Sequence, residues 1–195
     1  MSDMLISQLL KRSVETKALC VEQCSQSAED AAQLIAKRLI SGGKLMICGN
    51  GGSAGDAQHL AAEFVATLDH AQPRRAYAAL ALTTDTSFIT AYTNDFGFEG
   101  IFARQIDALG KPEDVLLAIS TSGNSNNVLK AIEAAQTQGI AVIALTGETG
   151  GNMADSADIL LNVPSQITMH IQECHIALGH AITARIEELL ATDEN

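Results

Sequence analysis

The chain has 195 residues, of which 47% are hydrophobic and 18% charged, as is typical of one globular domain and not of a disordered protein. Its 12 basic and 23 acidic residues give a formal net charge of −11. This excess of acid argues against binding to nucleic acid, which requires lysine and arginine opposite the phosphates. It does not exclude a small anionic ligand, because backbone N–H groups can hold a phosphate.

No apolar run reaches the roughly 20 residues that span a bilayer, and the N-terminus lacks the apolar core of a signal peptide. We therefore expect no membrane partner and a cytoplasmic location. The spacing of the four cysteines is not that of a zinc ribbon or a thioredoxin motif, so we interpret them as buried or partly buried reduced thiols. They are Cys20, Cys24, Cys48 and Cys174.

The first part of the chain carries apolar residues at helical spacing. From Leu5 to about Ser41 this periodicity predicts two helices. Ser27, with Asp30 three residues later, predicts the N-cap of the second helix, and the glycines after Ser41 end it. We assign 1–41 to N-terminal helices.

From Lys44 onward, short apolar runs alternate with helical patterns. Continuous runs suit strands that are buried on both faces, and strand–helix alternation predicts a parallel sheet covered by helices. The sequence therefore predicts one α/β domain over 1–195, with its core and last helix in 44–190. The predicted strands are 44–48, 76–82, 114–119, 141–145 and 158–163, and the predicted helices are 53–68, 98–109, 126–138 and about 168–190.

Two loops follow predicted strands at the edge where open parallel sheets bind ligands. The first, "GNGGSA" at 49–54, also fits the dinucleotide pattern G-x-G-x-x-A. That pattern needs an acidic residue about 20 positions later, at the end of the second strand. Asp69 precedes this strand and Asp85 lies too far along the chain. We interpret the loop as a glycine turn that lets a ligand approach the backbone; an NAD-dependent dehydrogenase is the alternative.

The second loop, "STSGNS" at 120–125, joins a predicted strand to a predicted helix. Its hydroxyls can donate to an anion, Gly123 can turn backbone N–H groups inward, and the helix N-terminus adds its positive dipole end. This pattern predicts a site for a phosphate monoester. The alternative is a serine cluster that caps the helix. The hydroxyls belong to Ser120, Thr121, Ser122 and Ser125.

His59 and Glu63 are four residues apart and therefore share one face of a helix. Such a pair can chelate a divalent metal or serve in acid–base chemistry; a solvated hydrogen-bonded pair is the alternative. The last predicted helix carries polar residues in an apolar stretch: His170, Gln172, His175 and His180. Gln172 and His180 share a face but lie about 12 Å apart along the axis, so Gln172 must reach toward a common ion. Two histidines, a carboxylate and an amide oxygen suit zinc or a similar divalent ion.

Five segments together resemble the SIS (sugar isomerase) domain family and, within it, the bacterial phosphoheptose isomerases. The likeness runs from about residue 30 to 190, through "CGNGGSAGDAQHLAAEF", "TTDTSFITAYTNDFGFE", "DVLLAISTSGNSNNVLKAIEAA", "VIALTGETGG" and "IQECHIALGH". The resemblance implies a flavodoxin-like three-layer sandwich with a five-stranded parallel sheet.

The resemblance also implies an activity. A phosphoheptose isomerase is an aldose–ketose isomerase that converts sedoheptulose 7-phosphate to D-glycero-D-manno-heptose 7-phosphate, for the synthesis of ADP-heptose and the lipopolysaccharide core. It would be a cytoplasmic homotetramer, in which the N-terminal helices of 1–41 pack between subunits, with Zn²⁺, or a similar divalent ion, in each subunit. The alternative is a non-catalytic SIS protein that binds a sugar phosphate or associates with the replication initiator; the His/Glu/Gln/His set argues against it.

The family's site residues carry over to matching positions of this chain. The catalytic pair would be Glu63 and His180, and Glu63 would act as metal ligand, base or both. The metal ligands would be His59, Glu63, Gln172 and His180. The phosphate would bind Ser120, Thr121, Ser122 and Ser125. The sugar would contact Asn50, Gly51, Gly52, Ser53, Glu63, Asn94, Asp95 and Gln172. For Asn94 and Asp95, the residues alone predict an ordinary turn.

Two positions depart from the family pattern. Thr67 stands where these isomerases tend to carry arginine, and the segment "TLDHAQPRRAY" at 67–77 is longer. Arg74 or Arg75 could substitute, or both could be solvated surface charges. His170 also stands where arginine is common. These departures bear on which sugar is preferred and not on the family.

Overall fold

The computed structural model describes residues 5–69, 71 and 74–193, so the ends of the predicted domain lie outside the described residues. Five parallel strands form one sheet in the order β2-β1-β3-β4-β5. The strands are β1 (Leu45–Gly49), β2 (Ala79–Ala81), β3 (Val115–Ile119), β4 (Ala141–Thr146) and β5 (Ile159–Asn162). The helices are α1 (Leu5–Gln23), α2 (Ser25–Ile40), α3 (Gly52–Val65), α4 (Thr86–Phe96), α5 (Ala103–Leu109), α6 (Asn126–Thr137) and α7 (Thr168–Asp193). The predicted flavodoxin-like α/β sheet is confirmed.

The side chains of each central strand alternate between two apolar layers. In β1, Leu45 and Ile47 belong to the layer formed with α2, α3 and α7. Met46 and Cys48 belong to the layer formed with α5 and α6. Because β1, β3 and β4 are buried along their whole length, their sequences are apolar without alternation.

Helix α1 packs against α7 through a small cluster that contains three of the four cysteines, Cys20, Cys24 and Cys174. All four cysteines are free and buried, which confirms their predicted character. Burial raises the pKa of the Cys48 thiol to about 12, so that thiol stays protonated. Among the described helices, none combines the length and the apolar character of a membrane span.

The helix and strand assignments differ most from the prediction in three places. Helix α4 is absent from the prediction because its threonine-rich sequence has low helix propensity; Asp85 caps it by accepting from the Phe88 N–H at 3.0 Å. The predicted helix over 98–109 is a 3₁₀ turn at Phe98–Gly100 followed by α5. The predicted strand over 76–82 shortens to β2, since this edge strand pairs with β1 on one side and, within the described residues, with no strand on the other.

The predicted N-cap at Ser27 is wrong. Helix α2 begins at Ser25, and Cys24 at its N-cap has helical backbone angles. Helices α1 and α2 therefore follow one another almost without interruption, and the chain needs no side-chain cap between them. Ser27 lies inside α2.

Candidate active site

The glycine turn after β1 lies against helix α7. Gly51 has a φ of +56°, a conformation that favours glycine. A Cβ on Gly52 would lie 2.7 Å from Nε2 of Gln172, so a larger residue here would displace the end of this flexible side chain. The N–H of Ser53 donates to the Asn50 carbonyl at 3.0 Å and closes the turn. Gly52, one of the predicted sugar-binding residues of the turn, therefore lies directly beside Gln172.

Two asparagines join this turn to the next loop. Asn50 and Asn127 exchange side-chain hydrogen bonds, each amide N donating to the other's oxygen at 2.8 Å. The pair sits where β1 and β3 lie side by side, at the point of the sheet where chain order reverses. Ligands of this class of sheet bind in that crevice. Asn127 was missed by sequence reasoning; its signal is an amide on the buried face of an otherwise apolar helix.

The loop after β3 gathers its hydroxyls around Ser120. Ser120 Oγ lies 2.9 Å from Ser125 Oγ and 3.4 Å from Ser122 Oγ. Ser125 is the N-cap residue of α6, yet its side chain does not cap the helix. Gly123 has a φ of +65° and touches the backbone of Gly150 so closely that a Cβ would clash. The hydroxyls and the free N-terminal N–H groups of α6 are therefore available to an anion.

A polar groove borders this loop and extends toward the start of α7. Five hydroxyl side chains line it: Thr121, Ser122, Thr149, Ser165 and Thr168. The last three were missed by sequence reasoning. Thr149 and Ser165 follow the carboxyl ends of β4 and β5, and that position was the available signal. The groove extends the hydroxyl surface beyond the predicted loop.

Three predicted site residues meet between α3 and α7. His59 Nε2 lies 2.8 Å from His180 Nε2 and 3.4 Å from Glu63 Oε1. One ligand atom from each residue lies within 4.8 Å of the others. The i, i+4 pair on α3 supplies two of the groups, and α7 brings the third.

This trio can hold a divalent metal. Two imidazole nitrogens and one carboxylate oxygen are donors that zinc accepts. A tetrahedral zinc ion places nitrogen ligands about 3.4 Å apart. The two Nε2 atoms of His59 and His180, now 2.8 Å apart, would therefore have to move apart only slightly to bind it. A proton on His59 Nε2 can be donated to His180 Nε2 or to the Glu63 carboxylate, since both acceptors face this one nitrogen. The same groups can therefore also move protons.

Asp56 stands one helical turn before His59 and was missed by sequence reasoning. Its Oδ2 atom is buried and has no hydrogen-bond partner within the described part of the chain. Loss of hydration raises the pKa of this carboxyl group, while His59 and His180 act in the opposite direction. Asp56 thus places a poorly hydrated carboxyl group within the electrostatic reach of the two histidines.

Asn94 and Asp95 lie in the last turn of α4, and the ordinary turn predicted from the residues alone is wrong. Both are exposed, and Asn94 Nδ2 donates to Asp95 Oδ1 at 2.8 Å. Their contact with a sugar stays a prediction.

The structure also shows the surroundings of the two residues that depart from the family pattern. Thr67 donates to the Asp69 carbonyl at 3.1 Å, and His170 is buried with Nδ1 3.8 Å from Glu173 Oε2.

The interpretation of Arg74 as a solvated surface charge is wrong. Its side chain is only 9% exposed, and its Nε donates to Glu187 at 2.6 Å. Arg75 is exposed, as a surface charge would be. Part of the longer segment 67–77, namely 70, 72 and 73, lies outside the described residues.

The strand order, the two loops and the His/Glu trio define an α/β protein of the sugar isomerase class. Residues 9–147 match the SIS domain model, and the chain therefore belongs to the SIS domain family. Within that family it groups with the phosphoheptose isomerases. One such protein from Rhodospirillum rubrum is 51% identical over 169 residues, which cover 87% of this chain and 89% of the relative.

A phosphoheptose isomerase from Aquifex aeolicus is 46% identical over 185 residues, which cover 95% of this chain and 96% of the relative. The solved structure of phosphoheptose isomerase GmhA from Neisseria gonorrhoeae superposes with a TM-score of 0.88 at 44% identity, covering 94% of this chain and 97% of the other. These similarities confirm the family and the class of enzyme that the motifs indicated.

Proposed function

We propose that this protein is an aldose–ketose isomerase that converts sedoheptulose 7-phosphate to D-glycero-D-manno-heptose 7-phosphate, for ADP-heptose and lipopolysaccharide core synthesis. The observation that carries the proposal is the meeting of His59, Glu63 and His180 along the helix that also borders the hydroxyl loop. An anion site and a proton-transfer site at two places along α7 suit a sugar with a phosphate at one end and a carbonyl at the other.

The loop after β3 would bind the phosphate group. Ser120, Ser122 and Ser125 already point their hydroxyls at one another, so a phosphate can replace these mutual hydrogen bonds with stronger charge-assisted ones. Thr121 and Ser122 also line the polar groove that borders this loop. No lysine or arginine is needed, because the N-terminus of α6 adds N–H donors and a favourable dipole.

The glycine turn would hold the sugar beside Gln172. Asn50, Gly51, Gly52 and Ser53 form a surface with few side chains, which allows sugar hydroxyls to approach backbone groups. The Asn50–Asn127 pair fixes the spacing between this turn and the phosphate loop. Binding energy from the phosphate end can then orient the reacting carbons.

Isomerisation moves a proton between two adjacent carbons while the carbonyl migrates, so it needs a base, an acid and stabilisation of an enediolate. Glu63 and His180 are the groups placed to share these transfers. Glu63 accepts a proton from carbon when it acts as base, and His180 serves the oxygens. If Glu63 also binds the metal, its carboxylate is a weaker base, because the ion competes with the proton for the same oxygens.

His59, Glu63, His180 and Gln172 would hold one zinc or similar divalent ion. Such an ion, when bound, polarises the substrate oxygens as a Lewis acid. The chain's own contribution is the trio of His59, Glu63 and His180 donors, and Gln172 lies against Gly52 of the glycine turn.

The proposed assembly is a homotetramer, supported by exposed apolar residues on α1. Ile6, Leu10 and Val14 repeat every four residues and line one groove with more than 60% of each residue exposed. An unpaired stripe of this kind favours contact with another helix. Light scattering of the purified protein, compared with an L10E/V14E variant, tests the assembly. The cytoplasmic location stays a prediction.

The activity is tested by incubation with sedoheptulose 7-phosphate and NMR detection of the aldose product. Wild-type protein should form the aldose until equilibrium is reached. If the protein binds the sugar phosphate but forms no aldose, the result would support the alternative, a non-catalytic SIS protein.

A further inference from the structure

Arg74 closes the C-terminal end of helix α3, the helix that carries His59 and Glu63. Its Nη2 atom donates to the Glu63 carbonyl at 2.8 Å, and its Nη1 atom donates to the Phe64 carbonyl at 3.1 Å. These carbonyls belong to the last turn, where helical partners are missing. A cation at this end also interacts favourably with the helix dipole.

The same guanidinium joins α3 to α7. Its Nε donates to Glu187 Oε1 at 2.6 Å, and the side chains are only 9% and 15% exposed. Glu187 Oε1 also accepts from the Leu68 N–H at 3.0 Å. Glu187 stands seven residues after His180, two turns further along α7 and on the same face. One ion pair thus ties the end of α3 to the helix that carries His180.

The position of Arg74 is itself restrained. Its Cζ lies 4.0 Å from the centre of the Tyr77 ring, and its Nη1 atom also donates to the Arg75 carbonyl at 2.9 Å. The Tyr77 N–H donates to the Phe64 carbonyl at 3.0 Å. Guanidinium has five N–H donors in a planar fork, and the contacts with Glu187, Glu63, Phe64 and Arg75 occupy four of them. Little donor capacity is left for a substrate.

We infer that Arg74, through its ion pair with Glu187, is a positioning residue that holds His59 and Glu63 in register with His180. The inference rests on the proposed function, in which those three side chains do the chemistry. It assigns no substrate contact to Arg74. The effect of its loss should therefore fall on turnover and on metal binding, while recognition of the phosphate group is unchanged.

The test compares Arg74→Met, Arg74→Lys and Glu187→Gln with Arg75→Met, which removes an exposed neighbouring charge that lies 5.3 Å from the Tyr77 ring but is not part of the Arg74–Glu187 ion pair. Displacements near 1 Å at reacting groups can cost about a hundredfold in rate, so Arg74→Met should lower kcat about tenfold to a hundredfold. Its KM should stay within about threefold. Arg74→Lys keeps the charge but not the fork, and should fall between Arg74→Met and wild type. Arg75→Met should behave like wild type.

A second measurement does not depend on turnover. Cobalt(II) added to the protein reports the geometry of the His59, Glu63 and His180 donors through its visible absorption. Arg74→Met and Glu187→Gln should change that spectrum and weaken cobalt binding, whereas Arg75→Met should not. If Arg74→Met does not fold, by circular dichroism, Arg74→Lys and Glu187→Gln still decide the question.

The inference is overturned if the folded Arg74 and Glu187 variants keep both wild-type kcat and the wild-type cobalt spectrum. It is also overturned if their loss of activity appears in KM alone. A wild-type protein that leaves sedoheptulose 7-phosphate unchanged would refute the proposed function, and the cobalt spectra would still test the role of Arg74.

Discussion

His59 and His180 bring their Nε2 atoms to 2.8 Å from each other although 121 residues separate them in the chain. Glu63 Oε1 lies 3.4 Å from the same His59 nitrogen. This contact turns two helix faces that were separate in the sequence into one site. Most of the consequences of the proposed function can be tested at these three side chains.

Replacing Glu63 with glutamine removes the proposed base and keeps the shape of the side chain. General base catalysis contributes about 10²–10⁴-fold, so kcat for sedoheptulose 7-phosphate should fall by at least about a hundredfold. Exchange of the carbon-bound proton with deuterated water, followed by NMR, measures the same step. Glu188→Gln is the matched control, since its side chain is 71% exposed and pairs with Arg185. Full turnover by Glu63→Gln would exclude Glu63 as the base.

Metal analysis tests the proposed ion. Purified protein should contain about one divalent ion per subunit, and His59→Gln or His180→Gln should lose most of it because each removes a ligand of the trio. A chelator should abolish turnover, and added zinc should restore it. His175→Gln, a change at a buried histidine outside the trio, should retain the metal. Metal-free wild-type protein with undiminished activity would contradict the proposal.

The hydroxyl loop should act on substrate affinity. Ser120→Ala removes the hydroxyl that contacts both Ser122 and Ser125. A hydrogen bond to a charged group contributes about 1.5–3 kcal/mol, so KM should rise about tenfold to a hundredfold while kcat changes little. Ser41→Ala is the control, because Ser41 is exposed and its hydroxyl donates to the Lys37 carbonyl of its own helix. An unchanged KM for Ser120→Ala would place the phosphate elsewhere.

His175 should make stability depend on pH. It is buried with Nε2 3.0 Å from the Thr146 carbonyl, and burial lowers its pKa from 6.5 to about 4. The unfolded chain therefore takes up a proton below pH 6.5 that the folded protein does not bind. This difference removes roughly 3 kcal/mol of stability as the pH falls from 6.5 to 4.

Urea unfolding of wild type and His175→Gln at several pH values isolates this effect. Glutamine can still donate to Thr146 but does not titrate, so the stability of the variant relative to wild type should improve as the pH falls. Carboxylates elsewhere in the protein also lose native interactions in acid, but this loss is the same in both proteins. A constant difference between the two proteins across pH 4–7 would show that His175 does not titrate on unfolding.

Residue patterns predicted the parts of the fold that depend on local physics. A strand buried on both faces needs apolar residues at every position, and β1, β3 and β4 show this directly in their sequences. Threonine-rich α4 was missed because tertiary packing overrides its weak propensity. Residue type alone placed Asn94 and Asp95 in an ordinary turn, whereas they lie in the last turn of that helix.

Residue patterns alone predict the sheet, the two loops at its carboxyl edge and the His59–Glu63 pair, because helix and strand periods fix which near neighbours share a face. The folded chain was needed to show that His180 meets His59, that Asn127 bonds to Asn50 and that Arg74 caps α3 instead of facing solvent. Those contacts join residues far apart in the chain. Their geometry follows from strand order and helix packing, which arise from many weak contacts summed over the whole core.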